Sequence, residues 1–87
     1  IDSQAQSDLF KKADLLFSQK NYNDAIKIYT QLLSNSPSVN PKIYLKLSAA
    51  YESKGDIPEC LYYLNLYYLK QPSEAVFTKM ASLAEQN

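Results

Sequence analysis

Eight positions recur along this chain at one constant interval. Leu9, Ala13, Leu16, Tyr22, Ala25, Tyr29, Leu32 and Pro37 line up with Tyr44, Ser48, Tyr51, Ile57, Cys60, Leu64, Tyr67 and Pro72, each pair 35 residues apart. Phe77, Met80, Ala81 and Ala84 extend the series, matching Tyr44, Leu47, Ser48 and Tyr51 at 33 residues. A period of this size marks one supersecondary unit used repeatedly. No such unit buries its apolar face alone, so successive copies must stack.

Each unit is predicted to be a pair of helices. Over Ser3 to Gln19, Ala5, Leu9, Ala13 and Leu16 follow helical spacing, with Phe10 and Phe17 on a flanking stripe and Ser3 and Gln6 resembling a capping box. Asn21 to Asp24 opens a second helix, with Ala25, Ile28, Tyr29, Leu32 and Leu33 as its apolar side and a stop before Ser36-Pro37. Asn40-Pro41 starts a third, whose buried face is Ile43, Tyr44, Leu47, Ala50 and Tyr51, and Lys54-Gly55 ends it. Asp56, Pro58 and Glu59 start a fourth, which Gln71-Pro72 stops. Ser73-Glu74 opens a fifth, in which Val76, Phe77, Met80, Ala81, Leu83 and Ala84 form one broad apolar face. Nothing reads as a strand, and the single Gly55 argues against a turn-rich sheet.

The recurring order of large, small, large, small, large and proline resembles the tetratricopeptide repeat, a helix–turn–helix unit of about 34 residues. Ala13, Ser48 and Ala81 are small where the first helix of a unit approaches its partner. Ala25 and Cys60 are small on the facing helix, and Tyr29 and Leu64 fill the space beside them. The chain departs from the pattern at Lys12, where a core Leu is usual, and at Leu9, where an aromatic is favoured. The resemblance implies an all-α, right-handed superhelical stack of antiparallel pairs in a single domain over 1–87. Its first repeat is expected at about 6–39, its second at about 41–72, and a capping helix at about 74–86.

Composition narrows the function classes. Nine Lys balance nine Asp plus Glu and no Arg is present, so nothing steers the chain to nucleic acid. No apolar run reaches the ~18 residues of a membrane-inserted helix. The chain opens on Ile1 rather than Met, which is expected of a fragment or a processed chain. Histidine is absent, removing the commonest general base and metal ligand. Cys60 then has no His to activate it and holds a small core position. The pair Asp56 and Glu59 is explained by helix capping, and Asp14 and Glu52 lack a third ligand for a metal. The expectation is a non-enzymatic chain without cofactor or metal, whose partner is a protein or peptide.

The resemblance implies a concave groove lined by the first helix of each unit. It would take Ser7, Phe10, Asp14 and Phe17 from the first helix and Lys42, Leu45, Ala49 and Glu52 from the third. The fifth would add Thr78, Ser82 and Glu85. Lys11, Lys46 and Lys79 hold equivalent places on its flank, which predicts a row of cations beside an aromatic floor, suited to an extended acidic segment. The clamp by which one branch of the family grips chaperone tails is not matched, since Phe10, Asp14 and Lys46 depart from it.

A second surface comes from the stretch CLYYLNLYYLK, Cys60 to Lys70. Cys60, Leu61, Leu64, Tyr67 and Tyr68 are expected in the core. Tyr62, Tyr63, Leu66 and Leu69 are left as one outward stripe, a candidate face for weak homodimerisation. The leading expectation is an adaptor or scaffold; the alternatives are a self-association domain and a regulatory arm of a larger multidomain protein.

Overall fold

The computed structural model describes residues 3–35 and 40–86, with Ser3 described in its backbone only. Five helices follow one another: α1 (Ser3–Ser18), α2 (Tyr22–Asn35), α3 (Lys42–Lys54), α4 (Ile57–Lys70) and α5 (Glu74–Ala84). No strand occurs among the described residues. The expected Ser3 cap and the Ser36-Pro37 stop lie outside them.

The helix ends are set by local chemistry. The Asn21 side-chain amide donates to the Asp24 carboxylate at 2.9 Å, tying the first turn of α2. Asn40 accepts from the Lys42 backbone N–H at 3.0 Å ahead of α3. Asp56 and Ser73 accept from the Glu59 and Val76 backbone N–H groups at 3.3 and 3.2 Å, capping α4 and α5. The Asn40, Asp56 and Ser73 side chains each satisfy a backbone donor that the first helical turn leaves open.

Gly55 ends α3 with φ 85°, and the Asp56 N–H reaches back to the Tyr51 carbonyl. This closure needs a left-handed residue, which glycine supplies without a steric penalty. The equivalent place in the first unit is Lys20, with φ 65° and the same closure from the Asn21 N–H to the Leu16 carbonyl. A lysine there carries a Cβ penalty that glycine avoids. Lys20→Gly is therefore expected to raise stability by about 0.5–1 kcal/mol in urea denaturation. Unchanged stability would mean that the lysine side chain makes a compensating contact.

Successive helices pack antiparallel and each touches mainly its neighbours, α1 on α2, α2 on α3, α3 on α4 and α4 on α5. The result is elongated, 39 × 26 × 17 Å. One core cluster joins Ala13, Ala25, Ile26, Tyr29, Leu32, Ile43, Leu47 and Ala50 across α1, α2 and α3. A smaller one holds Cys60, Leu64 and Leu83 beneath α5, and Tyr51 borders both. Ile26 is buried although its spacing did not announce it, because α2 is covered by α1 on one side and by α3 on another.

Two expectations about orientation are corrected. Tyr63 does not join an outward stripe. Its ring stacks between Tyr51 at 5.8 Å and Tyr44 at 6.5 Å, and it packs on the larger core. Burial raises its hydroxyl pKa, with the Tyr51 hydroxyl and Glu59 adding to the shift. At three residues past Cys60 it turns back over α3, whereas Tyr62 turns away. The second correction concerns α5. Only Leu83 is buried, with Val76 and Met80 half-buried, while Phe77, Ala81 and Ala84 stay exposed. The fifth helix meets α4, where the exposed Phe77 ring reaches Tyr68 at 6.1 Å, and no described element covers Ala81 and Ala84.

Candidate functional site

The concave candidates sit on three helices of the stack. Ser7, Lys11, Lys42, Thr78, Lys79, Ser82 and Glu85 are exposed, while Asp14, Lys46, Ala49 and Glu52 are half-buried. Leu45 keeps 39% of its surface exposed, which makes it the largest apolar side chain open on the third helix.

The aromatic floor is less available than its spacing suggested. Phe10 meets Tyr29 edge-to-face at 5.8 Å, and Phe17 meets Tyr22 in the same way at 5.3 Å. Both phenylalanines are half-buried and pack on the main core. They are shared between the α1–α2 contact and the open surface, so they contribute to stability as well as to any contact.

The row of cations is corrected too. Lys46 pairs with Asp14 at 3.4 Å and Lys79 pairs with Glu52 at 3.0 Å. Each bridge runs from one unit to the next. The sequence placed the lysines in one register but could not show that the stacking rotation brings an acid of the preceding unit beside each. Half-exposed pairs of this kind contribute about 0–1 kcal/mol each, so their main effect is to neutralise the surface locally. Lys11 and Lys42 are exposed outside these two bridges.

Asp14 has a second partner. Tyr29, wholly buried in its ring, directs its hydroxyl onto the Asp14 carboxylate. Burial, this hydrogen bond and the adjacent negative charge all raise the Tyr29 pKa well above its ordinary value. Asp14 therefore links α2, α1 and α3 at one point. Ser48, the small residue on α3, is buried and satisfied by the Leu45 carbonyl at 2.8 Å.

The Cys60 thiol is buried, and burial followed by the Glu52 charge raises its pKa, opposite to what a nucleophile requires. Among the described residues no three Cys, Asp or Glu side chains are grouped to hold a metal ion. No helix of the described residues is long and apolar enough to cross a membrane.

On the outer side, Tyr62 is 56% and Leu69 67% exposed, with Leu66 half-buried between them. Their separations of four and three residues fit one helical stripe, and Tyr63 lies off it. A feature not anticipated is an open cleft of about 350 Å³ between α1 and α2, with Leu16 and Ile28 as its floor and Lys12, Asp24, Lys27 and Gln31 around it. Lys12 is accommodated there, at the edge of the first pair, without being forced into the core.

Comparison with known proteins agrees with this geometry. A family model described as tetratricopeptide repeat matches residues 16–83. The crystal structure of PcrH in complex with the chaperone binding region of PopB is similar to this fold. The match has a TM-score of 0.87 at 17% identity and covers 99% of this chain and 69% of the other. Sequence comparison with curated proteins gives no match. With the 35-residue register realised as paired helices and the family match running through most of its length, the chain belongs to the tetratricopeptide repeat family.

Proposed function

We propose that this domain is a non-catalytic protein-interaction module that holds an extended peptide segment of a partner on the concave side of α1, α3 and α5. The observation that carries this reading is the exposed Leu45 beside Ala49, a small apolar seat flanked by the Lys46–Asp14 and Lys79–Glu52 bridges. Such a seat suits an aliphatic side chain of the segment, and the bridged charges on either side suit its backbone and polar groups. The complex of PcrH with the chaperone binding region of PopB supports a fold of this kind taking a segment of another protein. Lys11 and Lys42 remain open to acidic side chains of the segment.

Leu45→Glu tests the reading. In a peptide-array and anisotropy screen it should weaken binding of any captured segment at least about tenfold, roughly 1.4 kcal/mol, while the melting temperature stays unchanged. Binding that survives Leu45→Glu would remove the concave surface from consideration.

A second reading has its own observation, the exposed Tyr62 and Leu69. Burying that stripe against a second copy would support weak self-association. Sedimentation over a concentration series should then show a dimer that Leu69→Lys abolishes without unfolding the chain. A monomer at all concentrations would dismiss the stripe as a homodimer face.

A further inference from the structure

Two places of the first unit differ from the second in a way that packing does not require. Asp14 and Tyr29 stand where Ala49 and Leu64 stand in the second unit. Leu64 is buried there and Ala49 half-buried, so a helix pair of this kind closes without a carboxylate or a hydroxyl at these places. In the first unit the buried Tyr29 donates its hydroxyl to Asp14 Oδ1, and Lys46 Nζ on α3 reaches the same oxygen at 3.4 Å. Asp14 Oδ2 takes no donor from the described residues, and the side chain keeps 38% of its surface exposed. We infer, resting on the concave reading proposed above, that Asp14 and Lys46 form a carboxamide subsite, which takes an Asn or Gln side chain of the bound segment beside the aliphatic seat at Leu45 and Ala49.

The chemistry of the occupant follows from the pair. Tyr29 holds the carboxylate in place, so the site offers one anchored acceptor, Asp14 Oδ2, and next to it an ammonium with donors to spare. Together the two side chains carry no net charge. A carboxamide matches both, since its N–H donates to Oδ2 and its C=O accepts from Lys46. A segment carboxylate would be drawn to Lys46 but would face the fixed charge of Asp14, and a segment ammonium would meet the reverse conflict.

The second bridge is not an equal site. Among the described residues Glu52 is held by Lys79 and by no buried hydroxyl, so its carboxylate swings aside where that of Asp14 does not. Asp14 shares its register place with Ala49, and Lys46 follows Leu45 directly, which sets the subsite next to the seat.

A synthetic peptide array is the probe. Each peptide carries one fixed Leu in a background of Ala and Ser, with Gln, Glu or Lys as the guest at successive places on either side. At the best guest place the wild-type domain should prefer Gln over both Glu and Lys by about three- to fivefold, the range open to half-exposed polar contacts. Asp14→Asn keeps an acceptor for Tyr29 but removes the negative charge, and the preference should pass to Glu. Lys46→Met removes the positive charge, and the preference should pass to Lys. Each order is read within one variant, so a loss of stability does not imitate the change. A carboxylate that serves only to satisfy Tyr29 would leave all three orders alike. A wild-type preference for Glu or Lys, or variants that keep the wild-type order, would overturn the subsite. Capture that Leu45→Glu abolishes, alongside an unchanged guest order, would keep the concave reading and discard the subsite alone. Capture of no array peptide by the wild-type domain would remove both.

Discussion

Leu47→Ala is expected to lower stability by about 2–5 kcal/mol in urea denaturation followed by far-UV circular dichroism. Leu47 is wholly buried on α3 and lies in the cluster that also holds Ala13, Ala25, Tyr29 and Leu32 of the preceding pair. Its side chain thus holds one unit to the next as well as filling a core. The helices around it are locked by their own partners, so the cavity left by truncation collapses little. A domain of this length has about 4–13 kcal/mol of stability in total, and the substitution would remove a large share of it. A loss below about 1 kcal/mol would mean that the contact between the two pairs is looser than the burial of Leu47 implies.

Ala25→Leu should act in the opposite sense, by overfilling. Ala25 and Ala13 are both wholly buried in the cluster where α2 meets α1. Added methylenes at that contact force the helices apart or the side chain off its rotamer, at a cost of about 1–3 kcal/mol. The internal comparison is Ala81→Leu. It sits in the register place of Ala13, but it is exposed, and its change should stay within about 0.5 kcal/mol. Equal losses at Ala25 and Ala81, read as shifts in the urea midpoint, would contradict the open side of α5.

The helices were legible in the sequence because their ends are written in residues with one local job. Asp56, Ser73 and Gly55 act within a turn of their own position, and local chemistry needs no knowledge of the fold. The core positions Ala13, Tyr29 and Leu64 were legible because a fixed interval repeats them, and Leu47 because it follows helical spacing with Ile43, Ala50 and Tyr51. What stayed hidden depends on the angle between units. Ile26 reads as an off-face residue until α3 is laid against α2. Lys46 and Lys79 read as free cations until rotation between units brings Asp14 and Glu52 to them. Tyr63 reads as outward because it adjoins Tyr62 in sequence, although a step of one residue along a helix turns a side chain by about 100°. Lys20 went unnoticed for another reason, since its left-handed backbone is imposed by the closure of α1 and not by a glycine in the sequence.

The division of the interior into two clusters of unequal size sets an order of opening. The larger one is shared by three helices, but α5 is fastened through Leu83 with help from Val76 and Met80, the Phe77 ring on Tyr68 and the half-exposed Lys79–Glu52 bridge. Detaching α5 alone breaks few apolar contacts, so it is the cheapest cooperative unit to release, well below the free energy of global unfolding. The Cys60 thiol lies under that lid, nearly inaccessible while Leu83 is seated. Each excursion of the last helix uncovers the sulfur while the first three helices stay assembled. The cysteine is thus a built-in reporter: the rate at which a thiol reagent modifies it counts departures of α5.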